Sequence, residues 1–147
     1  MTKQFSTFYL QNLMFGVESQ NIQEVLRTVE LTEVPLAPKA IAGLMNLRGQ
    51  IVAALDLRQR FELHDRQRDQ PATGVVIRTS DGLVGLLVDG IGDVIDVDES
   101  TFEESPETLA PQMRNVIVGV HKLEGSLMHV LDTSSVCELK GLQDAKA

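Results

Sequence analysis

An internal repeat constrains the fold of this chain more than any other feature of its sequence. Residues 43–56 (GLMNLRGQIVAALD) align without a gap on residues 119–132 (GVHKLEGSLMHVLD). The identical pairs are Gly43/Gly119, Leu47/Leu123, Gly49/Gly125, Leu55/Leu131 and Asp56/Asp132. Residues 15–26 align in the same way on residues 84–95, with Gly16/Gly85, Ile22/Ile91 and Val25/Val94 identical. Such self-similarity indicates a duplication, so we expect two small, similar units.

The repeated units are predicted to be built from short β-strands. FSTFYL and LMFGV flank Gln11-Asn12 as in a β-hairpin, and strands are expected on both sides of the Arg48-Gly49 corner. The second half repeats this pattern with GVVIRT, LVGLLVD, IGDVIDV, NVIVGV and SLMHVLD. Short strands with glycine-marked bends fit two small closed barrels packed together, because closure removes exposed strand edges.

Local patterns predict a few further elements. Asn21 is expected to open a short helix that carries Ile22, Val25 and Leu26 on one face and ends near Arg27. TVELTEV alternates like a half-buried strand, and PKAIAG has room for at most a turn or two of helix. In the strand after Gly49, one face is expected to hold Ile51, Ala53, Leu55 and Leu57, and Val52 and Ala54 make the other face apolar, as in a strand buried on both sides. Residues 62–73 form a polar loop, and SSVCELK forms a final helix with Ser135 and Glu138 as a capping box.

The two copies differ most usefully at Arg48, which lies in the tight Asn46-Leu47-Arg48-Gly49 corner. The corresponding residue of the second copy is Glu124, so the fold of the unit does not require a cation there. Arg48 is therefore a candidate for function. Glu24 and Arg48 carry opposite charges, whereas their counterparts Asp93 and Glu124 are both acidic, so only the first unit can form an ion pair.

Charge and composition exclude several partners. The net charge of −8 provides no basic surface for phosphates, and 4% aromatic residues leave few platforms for stacked bases, so nucleic acid is not expected as a partner. The apolar runs fall short of the roughly 20 residues of a membrane span, and the N-terminus has no signal-peptide core, so membrane insertion is not expected. The single cysteine, Cys137, cannot form an internal disulfide and is interpreted as a buried, inert thiol. These features favour the cytoplasm.

An enzyme is the alternative from a different functional class, and the sequence contains few features that would support it. His64, His121 and His129 lack metal-site spacing, and His121 and His129 are interpreted as surface residues. Gly90-Ile91-Gly92 lacks the third glycine of a dinucleotide fingerprint and is interpreted as a turn. The acidic residues near it miss calcium-loop spacing, with Asp96 and Asp98 on a solvent face. We therefore predict no catalytic residues, no metal site and no cofactor.

Several motifs in series resemble the CheW family of chemotaxis coupling proteins. They are residues 22–25 (IQEV), 34–38 (VPLAP), 43–52 (GLMNLRGQIV), 56–58 (DLR), and 84–89 (VGLLVD) with 91–94 (IGDV), and the resemblance extends over roughly residues 5–138. It implies a mainly β fold of two five-stranded barrels with exchanged strands and short helices. It also implies a non-catalytic adaptor that couples the cytoplasmic tips of methyl-accepting chemoreceptors to the regulatory domain of the histidine kinase CheA. Residues 1–147 would form one domain, with approximate units at 13–72 and at 73–140, the second of which could take the N-terminal strand by exchange.

Carried over residue by residue, the resemblance implies two binding surfaces. The kinase-facing surface falls on Ile22, Glu24, Val25 and Gly43. The receptor-facing groove falls on Arg48, Ile51, Gly85, Ile91 and Val94. Ile51, Val94 and Val25 would fit a buried core equally well, and Gly43 and Gly85 would fit a purely backbone role. We expect Arg48 to be held by Glu24 in an exposed pair that presents the guanidinium to the receptor.

The resemblance leaves the pathway open. An adaptor of the same fold could serve a chemosensory system for twitching or for another non-flagellar output, because the partner is encoded elsewhere. The expected location is the cytoplasm, next to membrane-bound receptor arrays.

Overall fold

The computed structural model describes residues 1–38, 40–63, 73–80, 82–105, 109 and 111–136. Most of these residues lie in β-strands. The strands are β1 (Thr2–Leu10), β2 (Leu13–Glu18), β3 (Ile22–Leu26), β4 (Ile41–Leu47), β5 (Gln50–Asp56), β6 (Thr73–Thr79), β7 (Gly82–Val88), β8 (Gly90–Asp98), β9 (Phe102–Glu103), β10 (Ile117–Leu123) and β11 (Ser126–Leu131). Short helices are α1 (Leu57–Arg60), α2 (Pro111–Arg114) and α3 (Thr133–Val136), with 3₁₀ turns at Ser19–Asn21 and Glu99–Thr101. None of the helices described is long and apolar enough to cross a membrane.

The strands form two sheets, and each sheet takes strands from both halves of the chain. The first sheet has the order β3-β6-β7-β5-β4, and the second has the order β8-β1-β2-β11-β10-β9. Strands β6 and β7 thus complete the first sheet from the second half, while β1 and β2 complete the second sheet from the first half. The mainly β fold with exchanged strands is confirmed. The approximate units 13–72 and 73–140 stay a prediction, and each sheet takes strands from both sides of that boundary.

The repeat is visible in how the strands pair. In the first sheet β5 runs parallel to β7, with Ala54 opposite Gly85; in the second, β11 runs parallel to β2, with Val130 opposite Gly16. These are equivalent positions of the duplicated sequence. Both glycines sit under a methionine: a Cβ would lie 2.8 Å from Met45 Sδ at Gly85 and would collide with Met128 Sδ at Gly16. A side chain at either position would therefore displace its neighbour.

Neither sheet closes into a complete hydrogen-bonded barrel over the described residues, in contrast to the predicted closed barrels. The ladder of the first sheet ends at β3 on one side and β4 on the other. The chain after β3 covers part of this gap, since Thr32 and Leu44 exchange backbone hydrogen bonds of 2.8 Å in each direction. The edge of β4 is thus protected by an isolated bridge and not by a full strand.

One apolar core lies between the two sheets. The second sheet contributes Phe8, Leu10, Phe15 and Val17, and the first contributes Leu55, Val75, Ile77 and Leu86. Phe15 is fully buried and stacks on Phe8 and on Phe61, with ring centroids 5.7 and 5.6 Å away. Smaller clusters lie against each sheet separately. Because the main core draws on both sheets, neither unit buries its apolar face without the other.

Both hairpins predicted from turn residues are confirmed. Leu10 faces Leu13 across the Gln11-Asn12 turn, and Leu47 faces Gln50 across the Arg48-Gly49 turn. The helix expected after Asn21 is wrong, because residues 22–26 form β3 and pair with β6. TVELTEV is not a strand beyond the bridge at Thr32, and the described part of PKAIAG is a turn followed by β4.

Three smaller predictions also need correction. In β5 both faces carry buried side chains, since Leu55 belongs to the core between the sheets and Val52 and Ala54 to a second cluster, but Ile51 is exposed. The Gly90-Ile91-Gly92 turn is the start of β8, where a Cβ on Gly92 would collide with Thr7 and Tyr9 of β1. The N-cap of α3 is Asp132, whose Oδ1 accepts from Ser134 and Ser135 amides. Residues 64–72, Cys137 and Glu138 lie outside the described residues.

Candidate functional site

The corner that carries Arg48 is a two-residue hairpin turn with an unusual backbone. Arg48 has a φ of 52° and Gly49 a φ of 90°. Positive φ at both central residues is the geometry of a type I′ turn, which matches the twist of a hairpin. Asn46 Oδ1 accepts a 2.7 Å hydrogen bond from the Gly49 amide and fixes the turn. The arginine therefore projects from a well-defined support.

Glu24 holds the Arg48 side chain, as predicted. An Arg48 Nη donates to Glu24 Oε1 over 3.0 Å, and the side chains are 80% and 24% exposed, respectively. The pair joins β3 to the β4–β5 turn, and β3 and β4 are the two edge strands of the first sheet. Most of the guanidinium remains accessible, so the arginine can contact a partner while paired. In the second unit, Asp93 and Glu124 are both exposed, and two carboxylates cannot reproduce the ion pair.

The kinase-facing residues implied by the resemblance lie on the first sheet. Val25 projects from β3 with 41% of its surface exposed, and Ile22 and Glu24 on the same strand are half-buried. Gly43 is buried in β4, where a Cβ would lie 2.6 Å from the Thr32 carbonyl oxygen. Val25 is therefore available for contact, while Gly43 allows the close approach of the bridge at Thr32.

The receptor-facing residues are divided between the two sheets. Ile51 on β5 belongs to the first sheet and is 62% exposed, whereas Ile91 and Val94 on β8 belong to the second and are 41% and 58% exposed. Gly85 on β7 is buried beneath Met45. The alternative that Ile51, Val94 and Val25 form core does not hold. Apolar side chains that are exposed on the surface of a sheet are candidates for contact with another protein.

Acidic side chains accompany the apolar residues of β8. Asp93, Asp96 and Asp98 are exposed along the strand, as the solvent-face interpretation of Asp96 and Asp98 predicted. The pKa of Asp98 is lowered from its ordinary value because its carboxylate accepts a hydrogen bond from the Ser100 amide, 2.9 Å away. The surface of β8 therefore combines apolar side chains with negative charge.

The histidines in the second sheet are buried, so their interpretation as surface residues was wrong. His121 packs against the rings of Phe5 and Phe102, and its Nδ1 lies 2.8 Å from Thr101 Oγ1. His129 packs on Phe15, and its Nδ1 donates to the Met14 carbonyl over 3.1 Å. Each imidazole fills apolar space while one ring nitrogen keeps a hydrogen-bond partner. Burial lowers the pKa of His121 below its usual value, with the Lys3 cation adding to this effect and Glu99 opposing it.

The described residues contain no group of three or more histidine, cysteine or acidic side chains arranged to hold a metal ion. His121 and His129 lie on facing strands, but the register pairs Val120 with His129 and His121 with Met128. Neighbouring register positions point to opposite faces of a sheet, so the two imidazoles do not converge.

Arg58 and Asp89 form a second ion pair. The sequence places each residue in a family motif but predicts no contact between them. The Arg58 guanidinium binds Asp89 through two parallel hydrogen bonds, Nε to Oδ1 at 2.8 Å and an Nη to Oδ2 at 2.6 Å. The backbone amide of Gln11 donates to the same Oδ2 over 2.6 Å. Both side chains are largely buried. The spacing of 31 residues gave no sign of the contact, because only the folded sheets bring β7 next to α1.

Comparison with known proteins gives a consistent result over nearly the whole chain. The pattern of the CheW-like domain matches residues 4–140. A protein named chemotaxis protein CheW from Treponema pallidum is 27% identical over 144 residues, which cover 95% of this chain and 85% of the relative. The Bacillus subtilis protein of the same name is 28% identical over 138 residues, with 94% and 88% covered.

Two further similarities extend the comparison. The crystal structure of the scaffolding protein TtCheW from Thermoanaerobacter tengcongensis superposes with a TM-score of 0.85 at 26% identity and covers 96% of both chains. Protein FrzA of Myxococcus xanthus is 35% identical over 89 residues, which cover 60% of this chain and 52% of FrzA.

Proposed function

The chain belongs to the CheW-like domain family, and from that premise we propose that it is a non-catalytic adaptor that couples methyl-accepting chemoreceptors to the histidine kinase CheA. In this proposal it works in the cytoplasm beside receptor arrays, with the receptor's cytoplasmic tip and the kinase's regulatory domain as its partners. An adaptor of this kind raises the effective concentration of one partner at the other and forms no covalent intermediate.

One observation carries the proposal. Five large apolar residues are assigned to partner surfaces; Val25, Ile51, Ile91 and Val94 are exposed, and Ile22 is half-buried. A solvated strand face is normally polar, so exposed β-branched residues on three separate strands favour contact with other proteins. Val25 on β3 and Ile51 on β5 are separated by β6 and β7 within the first sheet, while Ile91 and Val94 lie on β8 of the second sheet.

The kinase surface is tested by calorimetry with the purified regulatory domain of the host's CheA-type kinase. We expect wild-type affinity in the micromolar range, concentrated in a few residues. Val25→Asp should weaken binding by roughly 30-fold or more, because it places an unpaired charge at an apolar centre. The matched control is Val118→Asp, which adds the same charge to an exposed valine on β10. Equal affinities for wild type and Val25→Asp, with both proteins folded, would move the kinase surface elsewhere.

The absence of turnover is tested separately. The adaptor should change the rate of kinase phosphorylation only when receptor is present, and the purified chain should hydrolyse no nucleotide. Hydrolysis that elutes with the protein on a sizing column, and that survives repeated purification, would favour an enzyme and contradict the proposal.

A second candidate keeps the adaptor role and changes the pathway. The similarity to FrzA supports it, because that relative does not carry the chemotaxis name of the others. In this case the chain would serve a twitching or other non-flagellar chemosensory system. A pull-down with the tagged protein against each receptor and CheA-type kinase of the host distinguishes the two candidates by the partners recovered.

A further inference from the structure

The chain passes from the first sheet to the second at Asp89. Strand β7 ends at Val88 and β8 begins at Gly90, so this one residue joins the two sheets. Its backbone amide donates to the Tyr9 carbonyl over 2.9 Å, which ties it to β1 of the second sheet. The direction of the chain at the crossing is therefore fixed on the second-sheet side.

The Asp89 carboxylate is bound from both sheets at once. Arg58 approaches from α1, which directly follows β5 of the first sheet, and donates two parallel hydrogen bonds. Gln11, in the β1–β2 turn of the second sheet, donates a hydrogen bond from its backbone amide. Asp56 Oδ1 accepts from the Arg58 amide over 3.0 Å and so positions the start of α1. A planar guanidinium bound at both carboxylate oxygens restrains orientation as well as distance.

The duplicated unit does not need this arrangement. In the repeat alignment, Asp89 corresponds to Gln20, and continuing the second aligned block by two residues places Arg58 on Ser134. At the other crossing, from β2 to β3, the Gln20 carbonyl accepts instead from Arg78 of β6. The fork between Arg58 and Asp89 is thus specific to one crossing, as the Glu24–Arg48 pair is specific to one hairpin.

We propose that Arg58 and Asp89 are positioning residues that fix the angle between the two sheets and thereby assemble the receptor-facing surface. This inference rests on the proposed function. Ile51 lies on the first sheet and Ile91 on the second, two residues beyond Asp89, so their relative placement depends on the crossing. The kinase-facing residues of β3 and β4 lie on one sheet and do not depend on it. Weakening the fork should therefore affect receptor binding and spare kinase binding.

The test uses Arg58→Lys, which keeps the charge and loses the fork, and Asp89→Asn, which keeps an acceptor for Gln11 and loses the charge. The control is Arg114→Lys, since Arg114 donates to the Leu109 carbonyl away from the crossing. Calorimetry measures affinity for a receptor-tip fragment and for the kinase regulatory domain. We expect receptor affinity about tenfold weaker in both test variants, with kinase affinity unchanged. The control should match wild type for both partners.

A second measurement needs neither partner. Spin labels on cysteines at Gln4 of β1 and Gln50 of β5, with Cys137 replaced by serine, report the distance between the sheets. The distance distribution should broaden or shift in Arg58→Lys and in Asp89→Asn. An unchanged distribution, or a changed one with wild-type receptor affinity, overturns the inference alone. If the wild-type chain binds neither partner, the proposed function is overturned and this inference with it.

Discussion

Ile51 and Leu127 occupy equivalent positions of the two duplicated hairpins, and both are exposed, at 62% and 41% of their surface. Each is the second residue of the strand that follows the turn, in β5 and in β11. Only Ile51 stands beside the Glu24–Arg48 pair, because the second unit has Glu124 at the turn. The duplication therefore provides an internal control: the same substitution can be made at Ile51 in the first unit and at Leu127 in the second.

The first prediction uses this pair. Ile51→Asp should weaken binding of a receptor-tip fragment by roughly 30-fold, because a charge replaces an apolar contact at the interface. Leu127→Asp should leave receptor affinity near the wild-type value. Both side chains are exposed, so thermal melts of the two variants should stay close to that of the wild type. Equal losses of affinity in the two variants would contradict the placement of the receptor surface.

The second prediction concerns Arg48. Because the side chain is largely exposed, its ion pair should contribute only about 0–1 kcal/mol to the free energy of unfolding. Arg48→Ala retains a Cβ at the same positive φ, so backbone strain should change little. We expect Arg48→Ala to leave the melt almost unchanged and to weaken receptor binding. Glu124→Ala should match the wild type in both the melt and receptor binding. An unchanged melt together with unchanged receptor binding would make Arg48 an ordinary turn residue.

The third prediction concerns pH. Burial lowers the pKa of His121 below its ordinary value of 6.5. The unfolded chain therefore takes up a proton before the folded one, so acidification favours unfolding. Stability from the neutral imidazole is present above about pH 6.5 and is lost as the pH falls toward the lower, folded-state pKa. The melting temperature of the wild type should fall more between about pH 7.5 and 5.5 than that of His121→Gln. Parallel pH profiles would exclude His121 as the source.

The fourth prediction concerns the core shared by the sheets. Phe15 is fully buried between Phe8 and Phe61, so Phe15→Ala should lower the free energy of unfolding by about 3–5 kcal/mol. Because this core draws on both sheets, chemical denaturation should give one transition by circular dichroism and by fluorescence of labels on either sheet. Two separated transitions would indicate that the units unfold independently.

Residues 22–26 illustrate where local sequence reasoning failed. The order Ile-Gln-Glu-Val-Leu does not alternate between apolar and polar residues, so it favoured a helix after Asn21. In the folded chain Glu24 is half-buried and bonds to Arg48 while Val25 is exposed, so these two residues depart from the usual pattern of a half-buried strand. Departures from the binary pattern are expected at functional sites, which fits the assignment of these two residues to a proposed binding surface.

The sequence by itself determined the duplication, the two hairpins and the Arg48 corner, because turn residues and strand alternation act over a few neighbouring residues. It also carried the family motifs and the complementary charges of Glu24 and Arg48. Only the tertiary structure decided which strands share a sheet, that His121 and His129 are buried, and that Arg58 reaches Asp89. These features depend on burial between segments far apart in the chain, where each side chain's environment is set by strands that no local pattern identifies.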